Sequence, residues 1–449
     1  MKDQRGVDTS SDNSQSLAFY EQALRAFNTY RGDPVAIIDE ALEADPDFAM
    51  GHVLRGHVNL SMWEKSVVPE IQKSVTKLNE LHNRCNDRER RHARVLEQWI
   101  SGDWNSARGA LDHLLAEHPR DLLALQIGHL SDFFHGDREN LRGRVARAMP
   151  AWSRDTPGYA FLLGMHAFGL EECGSYALAE EAGRHALDLE PDDCWAHHAI
   201  AHVMEMQARQ AEGIAFMEGR TEHWAQSDNG FQFHNWWHNA LFNLDQDRFQ
   251  RTLEIYDEGV RPEPAKFQVT LLDAAALLWR MHLRGLDIGN RWVEVADIYE
   301  KDDEDGFYAF NDMHAMMAFV ATDRNAAAAA RLAAVEAAAE GNGTNAMMTR
   351  LVGLPIARGV EAFGRKRYAE AVSHLMPVRY RAYVFGGSHA QRDIVHRTLI
   401  EAALRGGDQA LATALCNERT ALKPHCPFSW QLHNRATGDQ LAQSRNAET

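Results

Sequence analysis

Three prolines in matching contexts constrain most strongly how this 449-residue chain can fold. Pro46, Pro119 and Pro191 each follow an amphipathic helical pattern that ends in an acidic residue or a histidine, and a new helical pattern begins after each. Proline lacks an amide hydrogen and clashes with the preceding turn, so it ends the helix before it. The prolines are 73 and 72 residues apart. This is about twice a repeat of roughly 34 residues, which predicts two helix pairs in each interval.

The pattern between residues 17 and 434 is helical almost throughout, with apolar residues at intervals of three and four and no sustained alternation typical of strands. The clearest unit runs from Tyr176 to Met217 and resembles a tetratricopeptide repeat, with small Ala179 and Ala186 where paired helices approach. A single pair cannot bury its apolar face, so pairs must stack. We therefore predict an all-α, tetratricopeptide-like α-solenoid of stacked antiparallel helix pairs that forms one superhelix over 17–434, with one concave side. Residues 1–16 and 435–449 are polar and aperiodic and are predicted to be disordered tails.

Composition narrows the classes of function. The formal net charge of −17 disfavours nucleic acid and anionic lipid as partners, and no segment is apolar enough to span a membrane or to act as a signal peptide. The five cysteines are scattered, which disfavours a disulfide framework and a thiolate zinc site. We expect a cytoplasmic protein that binds neither nucleic acid nor membrane. The 23 histidines are the unusual feature.

The first group of candidate site residues is in CWAHHAIAHVMEMQ. His198, His202 and Glu205 lie at i, i+4 and i+7 and therefore share one helix face. Two imidazoles and a carboxylate on one face can bind a metal ion or a ligand, or transfer a proton. The alternative is that this face is the inner seam of a repeat, with the histidines as hydrogen-bonded core residues.

The second group is in FQFHNWWHNALFNLD, where His234 and His238 are again four residues apart and Trp236 and Trp237 lie between them. This pattern is consistent with an aromatic wall beside an acid–base pair. The alternative is that one tryptophan fills the gap between stacked helices and the histidines pack behind it.

The third group, in FYAFNDMHAMMAFV, places Asp312 and His314 near a predicted helix start. Asp312 is a candidate ligand-binding residue, and an N-cap role is its alternative interpretation. Capping does not explain His314, which we take as a candidate catalytic residue.

The fourth group is in GGSHAQRDIVHRTL, where Ser388 is a candidate helix cap and His389, Arg392, Asp393 and His396 follow on one stripe. The free amide hydrogens of a helix start, together with Arg392, can hold a carboxylate or a phosphate. An exposed ion pair of Arg392 and Asp393 beside surface histidines is the alternative.

Five segments that carry these groups resemble, in their order along the chain, the tetratricopeptide repeat protein 38 family. They are WAHHAIAHVMEMQAR, HNWWHNALFNLD, YAFNDMHAMMAFV, VGLPIARGVEAFGRKRYAEAV and GGSHAQRDIVHRTLIEAAL. The resemblance spans roughly Leu17 to Pro427, and its Trp-Trp-His and Ser-His-Ala-Gln-Arg-Asp strings are not generic repeat consensus. It implies a helical-repeat fold over the whole chain and a shared polar pocket, and it implies no catalytic mechanism.

Two hypotheses about function follow. The first is an inner pocket that binds a small polar or anionic molecule, in a hydrolase or lyase with acid–base chemistry. In this hypothesis no organic cofactor is evident, and a divalent metal is left open as an alternative. In it the catalytic residues are His202, His238, His314, His389 and Asp393, and the ligand-binding residues are His198, Glu205, His234, Trp236, Trp237, Asp312 and Arg392. The second is a non-catalytic adaptor that binds a peptide or protein partner in its concave groove. Convergence of His202, His238, His314 and His389 on one cavity would favour the first.

Overall fold

The computed structural model describes residues 1–438, and the regular secondary structure within that range is helical, apart from two isolated bridges, Lys2 with Asp8 and Arg31 with Asn229. The first thirteen α-helices are α1 Ser14–Thr29, α2 Pro34–Ala44, α3 Ala49–Leu60, α4 Val68–Glu80, α5 Asp87–Ile100, α6 Trp104–Glu117, α7 Leu122–Phe134, α8 Arg138–Ala148, α9 Tyr159–Glu172, α10 Tyr176–Leu189, α11 Cys194–Met206, α12 Gln210–Glu218 and α13 Thr221–Trp224. The remaining twelve are α14 Gln232–Asp245, α15 Phe249–Ile255, α16 Gln268–Leu283, α17 Arg291–Tyr299, α18 Ala309–Ala321, α19 Asn325–Ala339, α20 Thr344–Met348, α21 Leu354–Gly364, α22 Tyr368–Leu375, α23 His389–Arg405, α24 Gln409–Leu422 and α25 Pro427–Thr437.

Consecutive helices pack as antiparallel pairs, and the prolines mark the pair boundaries as predicted. Helices α2, α6 and α10 end at Ala44, Glu117 and Leu189, and each of these end residues lies two positions before the proline that follows it. Helices α3 to α6 occupy the first interval and α7 to α10 the second, so each interval holds two pairs. The predicted all-α, tetratricopeptide-like solenoid is confirmed.

The two helices of a pair differ in how deeply they are buried. Every residue of α11 is buried, and α7, α16 and α18 are nearly as deep, whereas α10 buries only a stripe that includes Ala179 and Ala186. A helix that is covered on all sides forms an inner layer, and an amphipathic partner covers it from outside. The polar groups singled out in the sequence lie on inner helices α11, α14, α18 and α23.

The concave side that we expected to be open is largely filled by contacts between distant repeats. The Tyr308 hydroxyl lies 2.7 Å from the main-chain oxygen of Phe385 and 3.1 Å from that of Phe134. The indole of Trp279 donates to the Thr398 hydroxyl at 2.9 Å. Repeat spacing does not specify contacts of this kind between distant repeats. A cleft lies between the start of α8, the end of α11, α23 and the end of α24.

The N-terminal segment is packed on the helices, which corrects the predicted tail over 1–16. The Asp3 carboxylate accepts the main-chain N–H groups of Arg5 and Val7 at 2.9 Å, and the Arg5 guanidinium pairs with Glu21 at 2.8 Å. These charges lie below the surface, so a polar composition did not mean a solvated segment. Helix α1 begins at Ser14, before the predicted boundary.

The predicted C-terminal tail begins inside a helix, because α25 continues to Thr437. Residues 439–449 of that tail lie outside the described residues. None of the helices in the described range has the length and apolar character needed to cross a membrane.

Candidate functional site

Four of the predicted site residues meet in the interior, where we call them the histidine cluster: His198 and His202 on α11, and His234 and His238 on α14. One ring nitrogen from each imidazole lies within 4.8 Å of the corresponding nitrogen of every other. The Nε2 atoms of His198 and His234 are 3.0 Å apart. Two i, i+4 pairs on two packed helices therefore converge on one point, as the sequence pattern suggested for each pair separately.

Local structure fixes the positions of both helices. Asp193 caps α11 by accepting the main-chain N–H of Ala196 at 3.1 Å. On α14 the Trp237 ring is fully buried and stacks on His234 with centroids 5.4 Å apart. Trp237 therefore packs beside the imidazoles in the interior, and its role as an aromatic wall for a ligand stays a prediction. Trp236 packs against Trp224 instead of the imidazoles.

Carboxylates face the Nδ1 atoms of three of the four imidazoles. The Nδ1-to-carboxylate distances are 2.8 Å for His234 and Asp273, 3.4 Å for His238 and Glu205, and 3.5 Å for His202 and Glu171. Only the first is a hydrogen bond by distance; the other two are looser contacts. A carboxylate behind Nδ1 leaves Nε2 as the nitrogen available to a ligand.

Burial sets the charge of these groups. Burial, with neighbouring imidazoles, lowers the pKa of His198 and His202 well below the ordinary value, and burial lowers that of His238. Burial opposes ionisation of Glu205, but Lys423 and His238 outweigh it and lower its pKa to about 2. Burial and the neighbouring charge of Glu172 raise the pKa of Glu171 well above the ordinary value. The imidazoles of His198, His202 and His238 are therefore neutral near pH 7.

A cleft of about 640 Å³ lies beside the histidine cluster. Its residues come from four separate stretches: the turn into α8, the end of α11, the segment before and within α23, and the end of α24. The lining residues are Gly136, Arg138, Glu139, Met206, Arg379, Tyr380, Ala382, Tyr383, His389, Arg392, Asp393, His396, Glu418, Leu422 and Lys423. The volume falls in the range of small-molecule sites.

Buried carboxylates separate the cleft from the histidine cluster. Lys423, on the cleft wall, lies 3.6 Å from Glu205. Ligand atoms of Glu171, Glu172 and His202 lie within 4.8 Å of one another, and Glu172 also contacts cleft residues His389 and Arg392. The cluster and the cleft are therefore neighbours that share a layer of carboxylates.

The predicted anion site at the start of α23 is already occupied by the chain itself. The Glu172 carboxylate accepts the main-chain N–H of His389 at 2.8 Å and lies 3.1 Å from the Arg392 guanidinium. Ser388 caps the helix as predicted, with Gln391 completing a capping box. Arg392 thus holds an internal carboxylate, and the expectation that this helix start receives an external anion is wrong for the described conformation.

His389 is oriented by the same interaction. Its Nε2 lies 2.9 Å from the main-chain oxygen of Glu172, and because a carbonyl can only accept, Nε2 carries the hydrogen. Nδ1 then holds the lone pair, 3.4 Å from an Arg392 nitrogen. His396, two helical turns further on, also lines the cleft, and burial together with Arg419 lowers its pKa to about 4.

Three of the predicted site residues, Asp393, Asp312 and His314, make contacts other than those predicted for them. Asp393 touches the cleft, but its carboxylate is held by Arg397 at 2.6 Å and Arg419 at 2.5 Å, so it orients no imidazole. Asp312 lies in the first turns of α18 and pairs with Arg331 at 3.2 Å. It neither caps the helix nor reaches the cleft.

His314 is buried on the same helix, with Nδ1 bonded to the main-chain oxygen of Phe310 at 2.8 Å. It is not among the four imidazoles that converge. Of the four histidines whose convergence we proposed as a test, His202 and His238 meet, His389 lies in the adjacent cleft and His314 is apart.

Sequence reasoning named Glu205 but missed the other two carboxylates behind the imidazoles, Glu171 and Asp273. A signal was present, because Glu171 and Glu172 interrupt the apolar string AFGLEECG and Asp273 interrupts the apolar string VTLLDAAALLW. Charged residues are rarely buried unless they are paired, so an acid inside such a run indicates a buried partner. Lys423 and Tyr383 had no comparable signal, because Lys423 directly follows the end of α24 and Tyr383 lies in the segment between α22 and α23.

No family model matches the chain. Similar solved structures include yeast Tom70, with 13% identity over 96% of this chain and 88% of that chain and a TM-score of 0.34. The human IFIT1 dimer with PPP-AAAA has 11% identity over 95% of each chain and a TM-score of 0.43, and the TPR domain of P58(IPK) has 13% identity over 89% and 99% and a TM-score of 0.21. Because these scores are below 0.5, the fold assignment rests on the helix pairing described above.

Proposed function

We propose that the cleft binds a small polar or anionic molecule and that the protein acts on it as a hydrolase or lyase, with His389 as the acid–base residue. The observation that carries the proposal is the cleft itself. It has the volume of a ligand site, and it gathers titratable side chains from segments more than 200 residues apart, such as Arg138 and His389.

The groups on the cleft wall suit this chemistry. A neutral imidazole with its lone pair on Nδ1 can take a proton from a water molecule or from a carbon next to a carbonyl, and can return it to a leaving group. Arg379 and Lys423 carry positive charge on the wall, although their carboxylate partners Glu418 and Glu205 lie at 3.3 Å and 3.6 Å. A ligand carboxylate or phosphate would compete with Glu418 for Arg379.

An extended peptide is the second candidate for the cleft. The rim exposes Tyr380, Tyr383 and Leu422, which are 66%, 50% and 65% accessible. Exposed aromatic and aliphatic side chains around a polar cleft are typical of a surface that binds a peptide or protein partner. This alternative keeps the adaptor function that the repeat architecture suggests by analogy.

The resemblance to the tetratricopeptide repeat protein 38 family supports the choice of this region. Two of the strings that carry it supply the histidine cluster, and a third supplies His389 and Arg392. We infer that the chain is a member of that family. Its cytoplasmic location stays a prediction.

The first test is a thermal-shift screen of the full chain with small carboxylates and phosphate monoesters. We expect at least one compound to raise the melting temperature of the wild type and of Arg358→Gln, a control in which an exposed Arg–Glu pair on α21 is broken. Arg379→Gln should abolish the shift. If no compound acts, or if Arg379→Gln responds like the wild type, the small-molecule proposal is wrong.

Turnover of a hit is the second test. His389→Gln should lower kcat by about 100-fold or more while the ligand-induced shift persists, because glutamine can still donate to the Glu172 oxygen but cannot transfer protons. Binding of peptides that is lost in a Tyr380→Ser, Leu422→Ser variant, without any small-molecule shift, would favour the adaptor function instead.

A further inference from the structure

We propose that the histidine cluster is a metal site, in which the Nε2 atoms of His198, His202, His234 and His238 bind one divalent transition-metal ion of the zinc class. The inference is independent of the proposed function, because the ion would sit in the interior between α11 and α14 and not in the cleft.

The spacing of the imidazoles suits a single ion. Four nitrogens at zinc–nitrogen distances of about 2.0–2.1 Å in a tetrahedron are separated by about 3.3 Å. The Nε2 atoms of His198 and His234 are 3.0 Å apart, and one ring nitrogen from each of the four histidines lies within 4.8 Å of those of the other three.

The arrangement behind the rings is that of a metal centre. Metal-bound histidines usually present the second ring nitrogen to a carboxylate or a carbonyl, which fixes the ring and strengthens the donor. Here Asp273, Glu205 and Glu171 face three of the Nδ1 atoms. In the described part of the chain, the Nδ1 atom of His198 has no such partner. Glu205, which stays ionised beside Lys423, also supplies negative charge toward a divalent ion.

Ordinary packing does not explain the cluster. His202 and His238 are fully buried, and neither ring nitrogen of either residue makes a hydrogen bond to any other described residue. A buried polar atom without a partner costs about 1–3 kcal/mol. A core that needed only volume would be more stable with apolar residues at these positions. One ion bound to the four rings would satisfy the Nε2 atoms together.

The donor set also selects the ion and its role. Imidazole nitrogens suit zinc, copper, nickel, cobalt and iron, and they do not suit magnesium or calcium, which prefer oxygen ligands. Four protein ligands in a buried site leave no open position, which is the pattern of structural metals. The ion would therefore link α11 to α14 and stabilise the middle of the solenoid.

The second buried set of candidate ligands does not compete. Glu171, Glu172 and His202 also come together, but Glu172 is already engaged by the His389 main-chain N–H and by Arg392. A third set, Asp87, Glu117 and His118, lies at the surface on α5 and after α6, where carboxylates are common without an ion.

The test uses the full chain, stripped with a chelator, dialysed and then reloaded with Zn²⁺ alone. We expect about one zinc per chain by elemental analysis and a higher melting temperature in the loaded form. Substitution of Co²⁺ for Zn²⁺ should give the visible absorption of tetrahedral cobalt. Less than about 0.1 zinc per chain after reloading would overturn the proposal without recourse to any variant.

Variants assign the ion to the cluster. His234→Ala, His238→Ala should lose the zinc, whereas His52→Ala, His374→Ala should keep it, because these two histidines lie on α3 and α22, away from the cluster. His52 is hydrogen-bonded to the main-chain oxygen of Pro46 at 2.9 Å, and His374 lies 3.8 Å from Glu370. Asp273→Asn keeps every ligand and should weaken zinc affinity about 10- to 100-fold. This variant decides the matter if the double variant does not fold. Retention of stoichiometric zinc with unchanged affinity in both variants would place the ion elsewhere and refute the assignment.

Discussion

The buried carboxylate of Asp393 is held by two opposite charges. The Asp393 carboxylate on α23 lies between Arg397, one turn further along the same helix, and Arg419 on α24. Burial opposes its ionisation, and the two guanidiniums outweigh that effect, so its pKa lies well below the ordinary value. Asp393 therefore joins two helices and is not available as a base.

Asp393→Asn should consequently act on stability more than on the site. Removal of the anion leaves two guanidiniums facing each other in a buried position, and we expect a loss of about 3–5 kcal/mol in the free energy of unfolding by urea titration. Glu418→Gln, which breaks the more exposed pair with Arg379, is the control and should cost about 1 kcal/mol or less. Equal losses in the two variants would mean that Asp393 has no special structural role.

At this scale the sequence predicts helix faces well and partners poorly. The i, i+4 spacing correctly placed His198 with His202 and His234 with His238, because four residues return a side chain to the same face. It did not show that Asp312 meets Arg331 or that Glu172 occupies the start of α23. Such contacts join residues that are 19 and 217 positions apart, and no local pattern specifies them.

The pairing of elements depends on glycines where two helices come close. A Cβ atom at Gly169 on α9 would lie 2.6 Å from the main-chain nitrogen of Arg142 and 2.7 Å from the main-chain carbon of Leu141 on α8. Main-chain atoms in a helix cannot shift without displacing the helix. The missing side chain at this position therefore sets the distance between α8 and α9.

Gly169→Ala should lower the free energy of unfolding by about 1–3 kcal/mol, as expected for an overpacked helix contact. Gly109→Ala on α6 is a matched control, because nothing lies within 4 Å of the added Cβ atom. Relief of the glycine penalty in a helix should stabilise that variant by about 0.5–1 kcal/mol. Urea titrations that gave both variants the same sign would contradict the close packing of α8 on α9.

Element boundaries were the part of the fold most accessible from sequence. Pro46, Pro119 and Pro191 marked pair ends because proline acts through its own backbone. The packing of the N-terminal segment could not be predicted from the sequence, because it depends on ion pairs of Arg5 with Asp3 and Glu21. Composition alone indicated a polar segment exposed to solvent. The contacts of Trp279 and Tyr308 that fill the concave side were not predicted either, because repeat spacing carries no information about contacts between distant repeats.

The molecule as a whole carries an interior rich in neutral histidine. Burial, together with Arg108 and offset by the hydrogen bond to Ser131, lowers the pKa of His135 to about 4, and burial with Arg144 lowers that of His129 to about 3. In the unfolded chain these groups titrate near 6.5. Below that pH the unfolded state binds more protons than the folded state, so the free energy of unfolding must fall as the pH falls from about 6.5 toward 4.

Each such histidine should contribute about 2 kcal/mol to the difference in unfolding free energy between pH 7 and pH 5. His135→Gln removes one of them. Urea titrations at the two pH values should therefore show a strong loss of stability at pH 5 in the wild type and a loss smaller by about 2 kcal/mol in the variant. An identical pH dependence in both proteins would show that His135 is not held neutral by the fold.

The four converging imidazoles are the feature of the whole molecule that packing alone explains least, and their interpretation as a built site is the central claim. Diffraction from zinc-loaded crystals of the full chain, recorded at the zinc absorption edge, tests it directly. The account predicts one anomalous peak about 2.0–2.1 Å from the Nε2 atoms of His198, His202, His234 and His238. An empty cluster, with the rings bonded only to one another or to water, would contradict it.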